Sequence, residues 1–177
     1  MIEQAEKPRS RRAVSAKKAS ASGYATFESS HAGGLEVREA PGLFWRYSQA
    51  HDQLTEAERL VQIRDGLPAG LYQEVKRVFG LAEQQLAELF NASISTLERR
   101  LRDKRPLDVV ASERVDRIAE VTFQAVEVFE SVDQAIAWMS RPNDSLGGKA
   151  PVMLCETEIG AKQVRRVLTA LEWGGVV

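Results

Sequence analysis

What most constrains this chain is a succession of apolar stripes at three-to-four spacing, punctuated by capping hydroxyls, glycines and prolines. Thr55-Glu56-Ala57-Glu58 has the layout of a capping box. It opens a helix carrying Ala57, Leu60, Val61 and Ile63, closed by Gly66. Pro68 suits the first turn of the next helix, which runs through Leu71, Val75, Val78 and Phe79 to Gly80. Leu86, Leu89 and Phe90 mark a third helix, and Ile94, Leu97 and Leu101 a fourth. Ser112 with Glu113 starts a long helix with Val115, Ile118, Thr122, Ala125 and Phe129 on one stripe. Arg114, Asp116, Arg117 and Glu120 occupy its other faces. Ser131 caps another, bearing Ala135, Ile136, Trp138 and Met139, which Pro142 ends. Trp138 and Met139 sit at core spacing. No run alternates with the period of two that a half-buried strand requires, so the expected fold class is all-α.

Composition narrows the possible functions. The chain has 177 residues, 44% hydrophobic and 28% charged, which suits one or two small globular domains. With a net charge of −1, any nucleic-acid role must come from a local patch. A single cysteine, Cys155, excludes an internal disulfide and fits a reducing compartment. No apolar run is long enough to span a bilayer, and none comes after the basic N-terminus as a secretory signal requires, so a cytoplasmic protein without membrane association is expected. In residues 1–34, Lys7, Arg9, Arg11, Arg12, Lys17 and Lys18 outweigh Glu3 and Glu6. So polar a segment is expected to be disordered, either a basic arm attracted to phosphates or a plain solvated tail. The cluster of Val37, Leu43, Phe44, Trp45 and Tyr47 is expected to pack on the downstream helices or on a second copy of the chain.

Catalytic patterns are missing. There is no phosphate-cradling glycine loop, GxSxG elbow, HExxH or paired-cysteine motif. Gly147-Gly148-Lys149 lacks the spacing of a P-loop. Cys155 has no histidine near it in sequence and reads as a small buried residue. His51 reads as a plain surface residue, since a metal site needs several converging ligands. The expectation is therefore no enzyme activity, no cofactor and no metal.

Two stretches carry the candidate function. Gly80 to Lys104 has the layout of a helix-turn-helix. Asn91 tolerates the left-handed turn, and Leu97 and Leu101 anchor the second helix. Ser93 caps that helix, with Ser95-Thr96-Leu97-Glu98 as a competing start. The exposed face would carry Ser93, Ser95, Thr96, Arg99, Arg100 and Arg102 as DNA contacts, arginine toward guanine edges and hydroxyls toward phosphates. The same layout is also simply two packed helices with surface charge. In the second stretch, Gly147-Gly148 and Pro151 make a tight connector into a short helical turn at Val152 to Cys155. Thr157 then caps a helix with Ile159, Val164, Val167, Leu168 and Leu171 as its stripe, ending at Trp173-Gly174-Gly175.

Leu146-Gly147-Gly148-Lys149 with Pro151, then Glu156-Thr157-Glu158 with Gly160, then Leu171-Glu172-Trp173-Gly174 resemble the C-terminal toxin-binding domain of the Xre/MbcA/ParS family of bacterial antitoxins. The helix-turn-helix looks like that family's Xre-type module. The resemblance implies a tail (1–34), a helix-turn-helix domain for DNA binding or dimerisation (35–106) and a small helical toxin-binding domain (107–177). It further implies a type II antitoxin whose partner is a RES-domain toxin acting on NAD in an ADP-ribosyltransferase-like pocket. The toxin-binding candidates are Lys162, Arg165, Arg166, Trp173, Gly174, Gly175, Val176 and Val177. Trp173 would anchor, the glycines would permit close approach, and the end of the chain would reach the entrance of the toxin's cleft, unless it is merely a frayed end. Repression of its own operon through a homodimer on operator DNA is expected as well. The alternative is a stand-alone transcription regulator with a C-terminal sensor or interaction domain.

Overall fold

The computed structural model describes residues 42–51 and 53–174. Among them are nine α-helices: α1 (Leu43–His51), α2 (Glu56–Asp65), α3 (Gly70–Phe79), α4 (Glu83–Phe90), α5 (Ile94–Arg102), α6 (Val109–Phe129), α7 (Val132–Ser140), α8 (Pro151–Leu154) and α9 (Glu158–Glu172). A 3₁₀ turn, Asp144–Leu146, comes after α7. The described residues hold no strand, only an isolated bridge between Asn143 and Lys149. The class is all-α. The basic tail and Val37 lie outside the described residues.

Local chemistry sets most helix ends. The Glu58 amide donates to Thr55 Oγ1, and Glu58 Oε2 accepts from the Thr55 amide at 2.9 Å, completing the capping box. Those bonds hold the Glu58 carboxyl below its ordinary range. Gly80 and Asn91 close α3 and α4 at φ 63° and 48°. Two starts differ from the sequence reading, those of α3 and α6. Pro68 stands ahead of α3, whose N-cap is Ala69, and its carbonyl accepts from the Leu71 amide. Of the two starts the sequence offered for α5, Ser93 is the cap, accepting from the Thr96 amide at 3.2 Å. The long helix α6 starts before Ser112, because the carboxylate of Asp108 caps it first, accepting from the Ala111 amide at 2.9 Å. Ser112 is buried one turn inside, where its hydroxyl accepts from the Leu67 amide at 2.9 Å and pins the α2–α3 connector.

Helix α6 is the axis of the fold. It packs against α1, α2, α7 and α9, and more lightly against α3 and α4. Val115, Ile118, Ala119, Val121 and Ala125 are all fully buried and, at about 100° per residue, cover an arc of roughly 160° of the helix. The expectation that Asp116 and Arg117 face outward is corrected here: both are buried. A buried charge needs close partners, and each has them. Tyr47 Oη donates to Asp116 Oδ1 at 2.8 Å, and Arg59 Nη2 donates to Asp116 Oδ2 at 2.6 Å and to Glu120 at 3.0 Å. Burial alone would raise the Asp116 pKa, but His51, Arg59 and Tyr47 outweigh it and bring the carboxyl down to about 2. Arg117 donates to the Cys155 carbonyl at 2.8 Å and pairs with Glu113.

One apolar cluster runs through the whole described region, from Phe44 and Phe79 through Leu97 and Ile118 to Met139, Val152 and Leu168. Full burial of each such large side chain contributes about 1.5–3 kcal/mol. Phe44 meets Phe79 edge to face at 5.7 Å, so the cluster around Leu43 to Tyr47 folds back on its own chain. Met139 is buried and Trp138 half-buried against Phe129, as their spacing suggested. His51, read as a surface residue, is in fact buried at the end of α1, with Nε2 3.4 Å from Asp116 Oδ1. No described helix is long and apolar enough to cross a membrane.

Candidate partner-binding surfaces

Helices α4 and α5 meet across Asn91-Ala92-Ser93. The left-handed Asn91 reverses the chain, and the Ala92 amide donates to the Ala87 carbonyl at 3.1 Å. Leu97 is buried, and Ile94 and Leu101 pack partly against the core. This leaves Ser93, Ser95, Arg99 and Arg102 exposed, with Thr96 and Arg100 half-buried. The six candidates therefore behave differently. Ser93 Oγ lies 2.8 Å from Thr96 Oγ1 and 3.1 Å from Ser95 Oγ, a cluster of hydroxyls at the start of α5. Arg100 turns toward the connector instead, donating to the Pro106 carbonyl at 2.9 Å and to Asp108 Oδ2 at 3.2 Å. It braces the residue that caps α6. Arg102 has only a loose surface contact, 3.5 Å from Asp103. Arg99, Lys104 and Arg105 have no ion pair among the described residues. Arg99, Arg100, Asp103 and Arg105 line a shallow depression of about 90 Å³. The exposed guanidinium groups of Arg99, Arg102 and Arg105 beside the hydroxyls suit a phosphate backbone, with Asp103 the acid among them.

The second surface is α9. Gly147 and Gly148 turn at φ 68° and 75°, Pro151 opens α8, and Thr157 Oγ1 accepts from the Gly160 amide at 3.1 Å. Gly160 is there for space: a Cβ would come 2.1 Å from the Leu154 carbonyl oxygen. Ala161, Val164 and Leu168 are buried, but Ile159, expected in the same stripe, is 77% exposed. At roughly 100° per residue, nine residues set Ile159 about half a turn from Leu168, so burying one exposes the other. Arg165, expected to be exposed, is half-buried. It pairs with Glu158 and lies 3.8 Å from Glu120 of α6, holding the helix down. Lys162 and Arg166 are exposed, with no ion pair among the described residues. Trp173 is 83% exposed, and Gly174 turns away at φ 72°. Gly175, Val176 and Val177 lie outside the described residues.

Cys155 is fully buried, and that burial pushes its thiol up to about 12 against the pull of Arg117 and Arg165. It is not a nucleophile at neutral pH. Ligand atoms of His51, Asp116 and Glu120 gather within 4.8 Å of one another, the donor set of a metal site. The place between the two carboxylates is already taken by the Arg59 guanidinium, a cation of the protein's own. Sequence reasoning missed this cluster because Arg59 and Tyr47, which bond Asp116, lie 57 and 69 residues from it.

A central helix, a helix-turn-helix and a second helical face with exposed apolar side chains define an all-α protein of helix-turn-helix class. Residues 58–120 match the antitoxin Xre-like helix-turn-helix domain, and residues 124–174 match the antitoxin Xre/MbcA/ParS C-terminal toxin-binding domain. The chain belongs to the Xre/MbcA/ParS antitoxin family. It is 32% identical over 81 residues to the antitoxin Xre of Pseudomonas putida, a match covering 46% of this chain and 51% of that protein. It is 26% identical over 113 residues to the antitoxin Xre of Photorhabdus laumondii, covering 63% of this chain and 76% of that one. A Sphingobium protein named Prs ADP-ribosylating antitoxin is 22% identical over 126 residues, covering 66% and 79%. The chain thus spans about half the length of the Pseudomonas relative.

Proposed function

We propose that this chain neutralises a RES-type toxin that consumes NAD, binding it through the C-terminal module and blocking the entrance to its active site. The observation that carries this reading is Trp173, a large ring left almost wholly in water where α9 ends, inside the stretch matching a toxin-binding domain. Tryptophans buried on association are leading anchors in protein complexes. Gly174, turning at positive φ directly after it, lets the chain leave the helix close to a partner's surface. The name of the Sphingobium relative couples antitoxin with ADP-ribosylation, which fits a toxin using NAD. The helix-turn-helix gives the same protein a second role, repression of its own operon, with Ser93, Ser95, Thr96, Arg99 and Arg102 meeting DNA and Arg100 supporting them from behind. A dimer would let two such helices read two half-sites.

The test is co-expression with the protein encoded beside this chain, reading growth and cellular NAD. The full chain should preserve both, and deletion of residues 174–177 or Trp173→Ala should release the toxin. Full protection by both variants would sink the occlusion mechanism.

A further inference from the structure

We infer that α9 seizes its partner at two apolar anchors, Ile159 and Trp173, with a cationic strip between them. The complementary surface is that of an acidic protein with two apolar pockets. The inference rests on the reading of residues 124–174 as a toxin-binding domain. Ile159 and Trp173 stand apart from the other exposed large apolar residues: they are 77% and 83% exposed, while Leu60, Val61, Val109 and Val110 lie between 51% and 56%. Fourteen residues separate them, roughly 21 Å along a helix, and at about 100° per residue they fall on the same side within about 40°. Arg166 lies between them on that side and Lys162 flanks it, four residues away.

The charges on this helix are sorted. Arg165 and Glu158 are consumed by one another and by Glu120 and Arg117 of α6. Lys162 and Arg166 keep no acidic partner among the described residues, so the outward face is left positive. Acidic groups on the other protein are what such a strip selects, steering encounter more than adding affinity. The strip is also held rigidly. Gly160 seats the first turn against the Leu154 carbonyl, and Val164 and Leu168 lock the inner face into the core. Preorganisation of this kind lowers the entropy cost of docking. Ile159 thereby becomes a binding residue, although its spacing had assigned it to the core.

The experiment measures affinity between the purified full chain and the purified protein encoded beside it, using Ile159→Ala, Trp173→Ala and the double variant Lys162→Ala with Arg166→Ala. The two anchor variants should each weaken binding about 10- to 100-fold, with urea midpoints unchanged because both side chains are in water. The charge variant should chiefly slow association and flatten its salt dependence. Binding by Ile159→Ala within twofold of the unmodified chain, alongside a weakened Trp173→Ala, overturns the two-anchor inference and leaves the toxin-binding reading standing. Light scattering that shows Ile159→Ala dissociating a dimer of the chain alone would assign the face to a second copy and overturn it too. Absence of binding by the unmodified chain would instead overturn the toxin-binding reading itself.

Discussion

Helices α5 and α9 are built alike and left different. Each begins on a hydroxyl cap, Ser93 or Thr157, and each seats one apolar stripe, around Leu97 or around Val164 and Leu168. Each then turns cations to water. On α5 the neighbours of those cations are hydroxyls, more cations and Asp103, with no exposed large apolar side chain; on α9 they are Ile159 and Trp173. Positive charge by itself does not choose a partner. Charge with hydroxyls suits a polyphosphate, whose affinity is set by counterion release, whereas charge bracketed by apolar anchors suits a folded protein.

That contrast can be broken most forcefully from inside. Leu97→Ala should cost roughly 2–5 kcal/mol in urea unfolding and remove DNA binding. If toxin neutralisation by the remaining folded fraction disappears as well, the two helices are not independent surfaces. Gly160→Ala puts a methyl against a backbone oxygen, so about 1–3 kcal/mol of stability should be lost. Neutralisation should fall with it while DNA affinity per folded molecule is kept. Acid should weaken both surfaces together, because Asp116 ties α1 and α2 to α6. Its carboxyl moves from an ordinary 3.8 when unfolded to about 2 when folded, so its contribution is complete above the first value. On the order of 2 kcal/mol should then vanish as pH falls from the first toward the second, seen as a falling thermal midpoint. Asp116→Asn should flatten that slope. The smallest effect sharpens α5 itself. Arg99→Ala with Arg102→Ala should leave stability within about 0.5 kcal/mol but reduce the salt slope of DNA binding by about 0.9 per lost phosphate contact. Arg100→Ala should instead cost about 1 kcal/mol through its lost bonds to Pro106 and Asp108.

Caps and turns were legible in the sequence because their chemistry is local. Thr55 with Glu58, Ser93, Asn91, Thr157 and the Gly147-Gly148 pair all act within a few residues of themselves. What escaped was long-range. A stripe pattern sends every charged side chain to water, so Asp116 and Arg117 were read outward although partners on α1, α2 and α8–α9 enclose them. His51 was misread along with them. Ile159 fits an apolar period as well as Val164 does. Only the seat of Gly160 on Leu154 decides which of the two faces the core.

Helix α6 also has a meaning for how such proteins can be rebuilt. One family match ends at residue 120 and the other begins at residue 124, both within this single helix of 21 residues, roughly 30 Å long. A chimera joining one relative's DNA-facing half to another's partner-facing half must therefore be spliced within a continuous helix. One residue too many or too few would rotate everything downstream by about 100° and carry α9 away from Arg117 and Glu120. Exchange of partners among related chains is thus restricted to crossovers that keep the helical phase.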